Sequence, residues 1–206
     1  MADHLQNPGR REIMQRLVLG AGGLVTLPFI ADAHPIQHHL RDATAIALAD
    51  AQSQATEYTP GFLSAPQLET LRVLAERIIP GATKANSAEF IDQLLTVAKA
   101  EEQQEFLRAM SAFEQLALTR ATMPWRQLTA AQQDELLTRA STEKPGVTNP
   151  GGTTPARVTI RDHFEHLKGW IVGAYYSSEI GMRELGWTGN VFFPEFPGCT
   201  HEGGHA

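Results

Sequence analysis

Between Ser64 and Ser177 the chain carries five stretches in which apolar residues recur at intervals of three and four, and no stretch of convincing length in which they alternate. A three-to-four repeat buries one stripe of an α-helix, whereas a half-buried strand needs a period of two. This feature restricts the fold more than any other. In the first stretch Ser64 and Gln67 have the spacing of a capping box, and Leu68, Leu71, Leu74, Ala75 and Ile78 fall on one face before Pro80-Gly81 stops it. A second helix is expected from Ser87, with Phe90, Ile91, Leu94, Leu95 and Ala98 inward. A third is expected from about Glu101 to Arg120, with Phe106, Met110, Phe113 and either Leu116 or Ala117 inward. Thr129 and Gln132 form another capping pair and open a fourth, carrying Leu136, Leu137 and Ala140. The fifth begins near Thr159, carries Phe164, Leu167, Trp170, Ile171, Ala174 and Tyr175, and ends near Ser177. A further helical turn is expected around Ile180 to Leu185. The predicted class is therefore all-α: an irregular bundle of about five helices with a long loop and an aromatic C-terminal tail.

The loop is Ser141 to Ala156, whose three prolines and three glycines in sixteen residues exclude a regular element. Ordered loops of that length often line functional sites. The tail, Gly186 to Ala206, has no period yet contains Trp187, Val191, Phe192, Phe193 and Phe196. So many apolar side chains need cover, either on this domain or on another chain. The aromatics Tyr175, Tyr176, Trp187, Phe192, Phe193 and Phe196 are accordingly candidate partner-binding residues, with completion of the chain's own core as the other reading.

The N-terminal segment has a different character. Arg10-Arg11 precedes Leu17 to Ala31, an apolar run loosened by Gly20, Gly22 and Gly23, and then the small-x-small site Ala31-Asp32-Ala33. Paired arginines before such a run point to a twin-arginine export signal over residues 1–33, and thus to a periplasmic protein. A basic amphipathic helix and an uncleaved membrane anchor are the other readings. The run is shorter than the ~20 residues that cross a bilayer as a helix. Its glycines do not make a dinucleotide site, which needs a strand before and a helix after. Residues 34–63, rich in Ala, Gln, Asp and Thr, read as an extended lead-in with room for one short helix, and residues 64–206 as the helical domain.

Net charge is −6 over 206 residues, so the basic surplus of a nucleic-acid binder is missing. The single cysteine, Cys199, excludes an internal disulfide and an iron–sulfur cluster. Cys199 reads as a buried thiol or as a cross-link to a partner chain. With His201 and His205 it is a weak metal-ligand candidate, because the spacing matches no common structural site. His163 and His166 lie three apart on one helix face, which is not the spacing of a metalloprotease pair, and are expected on a solvated or interface face. No Gly-x-Ser-x-Gly and no perturbed carboxylate pair is evident, so no catalytic residue is assigned.

The sequence resembles the gluconate 2-dehydrogenase subunit 3 family. The resemblance is carried by Glu76-Arg77-Ile78-Ile79-Pro80 closing a helix and by Phe90-Ile91-Asp92. It continues through Trp125 to Leu137, through His163 to Lys168 with Ala174-Tyr175-Tyr176, and through Phe196-Pro197-Gly198-Cys199. It spans roughly Ser64 to Cys199. Where many members have Gly-Gly-Asn after the tyrosines this chain has Ser178-Glu179-Ile180-Gly181, a variant that looks like the branch paired with other sugar or glycoside dehydrogenases. The resemblance implies an accessory small subunit with no cofactor of its own. Its implied partner is a flavoprotein large subunit of the glucose–methanol–choline (GMC) type, which binds FAD and oxidises a sugar, polyol or glycoside. A cytochrome c or another acceptor would take the electrons. The twin-arginine translocase would engage Arg10 and Arg11, and the complex could bring the chain to the membrane. The reading of a different class is a stand-alone exported metal-binding protein using Cys199, His201 and His205.

Overall fold

The computed structural model describes Ile36, His39 and residues 42–55, 57–146 and 158–187. These contain seven α-helices and, among the described residues, no strand. Five match the helices read from the periodicity: α2 (Ala65–Ile78), α3 (Ser87–Val97), α4 (Ala100–Ala121), α5 (Ala130–Thr142) and α6 (Ile160–Tyr176). The other two are α1 (Ala43–Ser53), which lies within the lead-in, and α7 (Glu179–Glu184), the further turn expected after α6.

The lead-in, read as extended with room for one short helix, contains one helix of eleven residues. Spacing did not place it, because Ile46 and Leu48 are two apart and cannot share a helix face. The fold buries Ile46 and Ala49 and leaves Leu48 outside. Asp42 starts α1, its Oδ1 accepting the N–H groups of Thr44 and Ala45, each at 3.0 Å. The capping pairs form as spaced: the Ser64 N–H donates to Gln67 Oε1 at 2.9 Å, and the Thr129 N–H to Gln132 Oε1 at 2.9 Å.

Two helices organise the packing. α3 is buried almost all round, and α1, α2 and α6 pack against it. α6 touches α2, α3, α4 and α5 as well as α7. The core between them is aromatic: Phe106 of α4 meets Trp170 of α6 edge-on at 5.7 Å, and Phe113 meets Trp125 edge-on at 5.5 Å. Trp125 belongs to a 3-10 turn, Trp125–Gln127, between α4 and α5. Such edge-to-face pairs contribute roughly 0.5–1.5 kcal/mol beyond the area they bury.

One polar group sits inside this apolar assembly. Asp92, on α3, has no exposure to solvent. Its Oδ2 accepts the Tyr58 hydroxyl at 2.6 Å and the Gly61 N–H at 2.7 Å. Its Oδ1 accepts the N–H groups of Phe62 at 3.1 Å and Leu63 at 2.6 Å. A buried carboxylate is tolerated only when its lone pairs are taken up in this way. Replacing Asp92 by Ala leaves three backbone N–H groups without their acceptor. We expect Asp92→Ala to lower the unfolding free energy by roughly 3–5 kcal/mol, read from urea denaturation, with Asp92→Asn losing less. A loss below about 1 kcal/mol would show that the carboxylate does not hold the 58–63 segment.

Candidate functional site

Part of the sequence signature, Glu76 to Pro80 with Tyr175, meets where α2 ends. Helix α2 stops at Ile79, whose backbone is extended, followed by Pro80 and by Gly81 at φ 99°. That left-handed conformation suits glycine. The Glu76 carboxylate folds over the turn and accepts the N–H groups of Gly81 and Thr83, each at 2.8 Å. Burial opposes its charge, but these donors outweigh burial and hold the carboxyl below its ordinary value. Arg77 reaches across to α5 and grips Asp134 with two guanidinium nitrogens, Nε lying 3.0 Å from Oδ1. Arg72, one turn before, donates through Nε to Glu89 of α3 at 2.6 Å and also pairs with Glu69.

Tyr175 closes the same region from α6. Its hydroxyl donates to Glu184 of α7 at 2.9 Å and lies beside Gly81. Burial first, then the Glu184 carboxylate, push its phenol up to about 12. Tyr175 is buried, and the half-buried Tyr176 meets it edge-on at 5.1 Å. Of the aromatics read as partner-binding candidates, these two therefore turn inward wholly or in part, and Trp187 is half-buried. Phe192, Phe193 and Phe196 lie outside the described residues, as do Arg10, Arg11, Cys199, His201 and His205. Among the described residues no group of three or more metal-ligating side chains is gathered, and no helix is long and apolar enough to cross a membrane.

The outer face of α4 has a groove along each side, and Ser111 and Gln115 line both. The first, about 420 Å³, lies towards α2, between Pro66, Met110, Leu118 and Pro124, with Glu114 and Arg126 as its charged edge. Glu114 is already engaged by the Thr70 hydroxyl and the Trp125 N–H, each at 2.9 Å. The second, about 660 Å³, lies towards α6 and contains Glu105, Arg108, Asp162, His163 and His166. Each groove ends on an exposed apolar side chain, Leu118 (51% exposed) in the first and Val158 (59%) in the second.

The long loop begins and ends beside the second groove. Asp162 caps α6 through the Thr159 N–H at 2.7 Å and accepts the Gly146 N–H at 2.9 Å, while the Thr159 hydroxyl donates to the Lys144 carbonyl at 3.1 Å. One carboxylate thus joins both ends of the loop. Burial opposes the Asp162 charge, but these N–H groups win and hold it low. Residues 147–157 lie outside the described residues.

The face expected to be solvated or an interface places both His163 and His166 half-buried in the second groove. The His166 side chain is 15% exposed, its ring 6.5 Å from Phe106, and its Nδ1 lies 3.6 Å from Glu105 Oε1. Its Nε2 is buried with no hydrogen-bond partner among the described residues. Burial lowers the proton affinity of both histidines, and nearby carboxylates only partly oppose it. The bland spacing of two histidines gave no sign of this. The signal available was that His163, Leu167, Trp170 and His166 share the stripe of α6 that faces α4.

A histidine whose folded-state value lies below its ordinary 6.5 binds fewer protons folded than unfolded. Stability is then full above pH 6.5 and falls as the pH drops below it. We expect the melting temperature to fall between pH 7 and pH 5. His166→Phe, which keeps the ring against Phe106 and removes the titrating group, should reduce that fall. An unchanged slope in the variant would assign the acid sensitivity elsewhere.

A family model described as gluconate 2-dehydrogenase subunit 3 matches residues 65–198. No curated protein and no solved structure matches the chain.

Proposed function

The chain belongs to the gluconate 2-dehydrogenase subunit 3 family, and on that premise we propose how it serves a dehydrogenase complex. Membership makes it an accessory subunit of such a complex. We propose that its partner is a GMC-type flavoprotein large subunit holding FAD, that the partner oxidises a sugar, polyol or glycoside, and that electrons leave to a cytochrome c or a similar acceptor. We propose also that residues 1–33, through Arg10 and Arg11, send the pair to the periplasm by the twin-arginine route.

The family match over residues 65–198 carries this reading. Two acidic side chains of the signature hold turns: Glu76 on Gly81 and Thr83, Asp92 on residues 58–63. The contribution of the chain is linkage. Binding only the folded, flavin-loaded partner stabilises that state by RT ln(1 + [L]/Kd), about 2.7 kcal/mol at a hundredfold excess over Kd.

The test is affinity capture of the tagged full chain from a host that also expresses the neighbouring dehydrogenase gene. We expect a yellow complex with a second, larger chain. A colourless single chain would defeat the reading. Deleting residues 189–206 removes Val191, Phe192, Phe193 and Phe196. That truncation should abolish co-purification of the large chain while leaving the helical circular dichroism of the domain in place. Undiminished co-purification would remove the tail from the interface.

A further inference from the structure

An accessory subunit must meet its partner on a face that its own fold leaves open, and the first groove beside α4 is such a face. Helix α4 turns Phe106, Phe113 and Ala117 into the core, and the same period puts Ser111, Gln115 and Leu118 on the opposite side. Three elements wall the groove: Pro66 at the start of α2, Met110 and Leu118 of α4, and Pro124 just before the 3-10 turn. Met110 is 3% exposed, whereas Leu118 is 51% exposed. A leucine held in water beside a concave apolar surface has free energy to gain when another molecule covers it.

The groove carries two charges, and they differ in what holds them. Both oxygens of Glu114 are engaged within the fold, Oε1 by the Thr70 hydroxyl and Oε2 by the Trp125 N–H. Arg126 has no hydrogen bond or ion pair from its guanidinium among the described residues. Arg72, Arg77, Arg161 and Arg183 each meet a carboxylate. The backbone beneath Arg126 is nevertheless fixed. Trp125 is fully buried against Phe113, and its carbonyl accepts the Gln133 side-chain amide at 3.2 Å. A spare guanidinium set at the edge of an apolar groove complements a carboxylate next to an apolar side chain. A second copy meeting groove to groove would instead bring Arg126 against Arg126, which repels.

We propose that this groove takes an acidic, apolar segment of the dehydrogenase large subunit, seating an apolar side chain against Met110 and Leu118 and an Asp or Glu carboxylate on Arg126. This rests on the subunit reading given above and names where on this chain the partner sits. The groove is about 420 Å³, so it holds anchoring side chains of that segment, with Ser111 and Gln115 as polar rim.

The experiment co-expresses the tagged full chain with the neighbouring dehydrogenase gene and reads the dehydrogenase retained per tagged chain after washes of rising salt. Leu118→Glu puts a carboxylate into the apolar groove, and Arg126→Glu reverses the charge at its edge. Both side chains are exposed, so the helical circular dichroism and melting temperature of the isolated chain should stay as in wild type. Each variant should cut retention about tenfold or more, and Arg126→Lys, which keeps the charge, should lose less. Salt should weaken wild-type retention more than that of Arg126→Glu. Retention by both variants equal to wild type would overturn the groove and leave the subunit reading standing. A wild-type chain that retains no dehydrogenase would overturn both. The chain's own Phe193-Pro194-Glu195-Phe196 has the same chemistry as the proposed segment. If Leu118→Glu lowers the melting temperature of the isolated chain and deletion of residues 189–206 abolishes that difference, the tail fills the groove and the proposal fails. A wild-type dimer in sedimentation that Leu118→Glu dissociates would overturn it in favour of a second copy.

Discussion

A carboxylate sealed from water, Asp92, ties three successive backbone N–H groups and a phenol to the helix that the others pack around. Apolar contacts alone would bring α3 into the middle of the bundle without fixing how the preceding chain passes it, since packing is tolerant of sliding. Hydrogen bonds to one carboxylate are not. With Gly61, Phe62 and Leu63 converging on Asp92, Leu63 is set into the core and Ser64 is set at the start of α2. Tyr58 is held as a neutral donor, burial and the Asp92 charge both pushing its phenol up. The register of α2 against α3, and with it the Arg72–Glu89 contact, follows from that anchoring.

The same device recurs at lower cost elsewhere. Glu76 binds the turn after α2, Glu114 joins α2 to the Trp125 turn, and Asp162 joins the two ends of the long loop to the start of α6. In each case a carboxylate accepts at least one backbone N–H at a turn or helix end, where no helical carbonyl is available to it. What α4 presents outward is a ridge with two grooves, lined by Glu114 and Arg126 on one side and by Glu105, Arg108 and His163 on the other, with Leu118 and Val158 exposed.

Most of the helical plan was legible because five amphipathic faces obey one period, and capping pairs at Ser64 and Thr129 marked where two of them start. α1 was legible only as room for one short helix, because an alanine-rich helix needs only Ile46 and Ala49 to dock, and Leu48 broke the pattern. The role of Asp92 was visible only as part of a family signature. Its donors are backbone groups some thirty residues earlier, and no local spacing predicts a contact of that separation. The burial of His166 was half legible: the stripe His163, His166, Leu167 and Trp170 marks one face of α6, but not that Phe106 of another helix lies over it. The grooves are products of how α4 sits between α2 and α6, which periodicity does not report.

The arrangement around α6 fixes when the lead-in can join the fold. Ile36 is buried against Gly173 of α6, and its seat is not a pocket in one helix. Gly173 supplies the bare backbone, while Trp170 and Glu102 hold His39 alongside, so the seat needs α6 formed and packed on α4. The contacts with α6 span more than a hundred residues of sequence, and contacts of that range form only when the chain has closed its long loops. Docking of the lead-in is therefore a late event that reports completed folding.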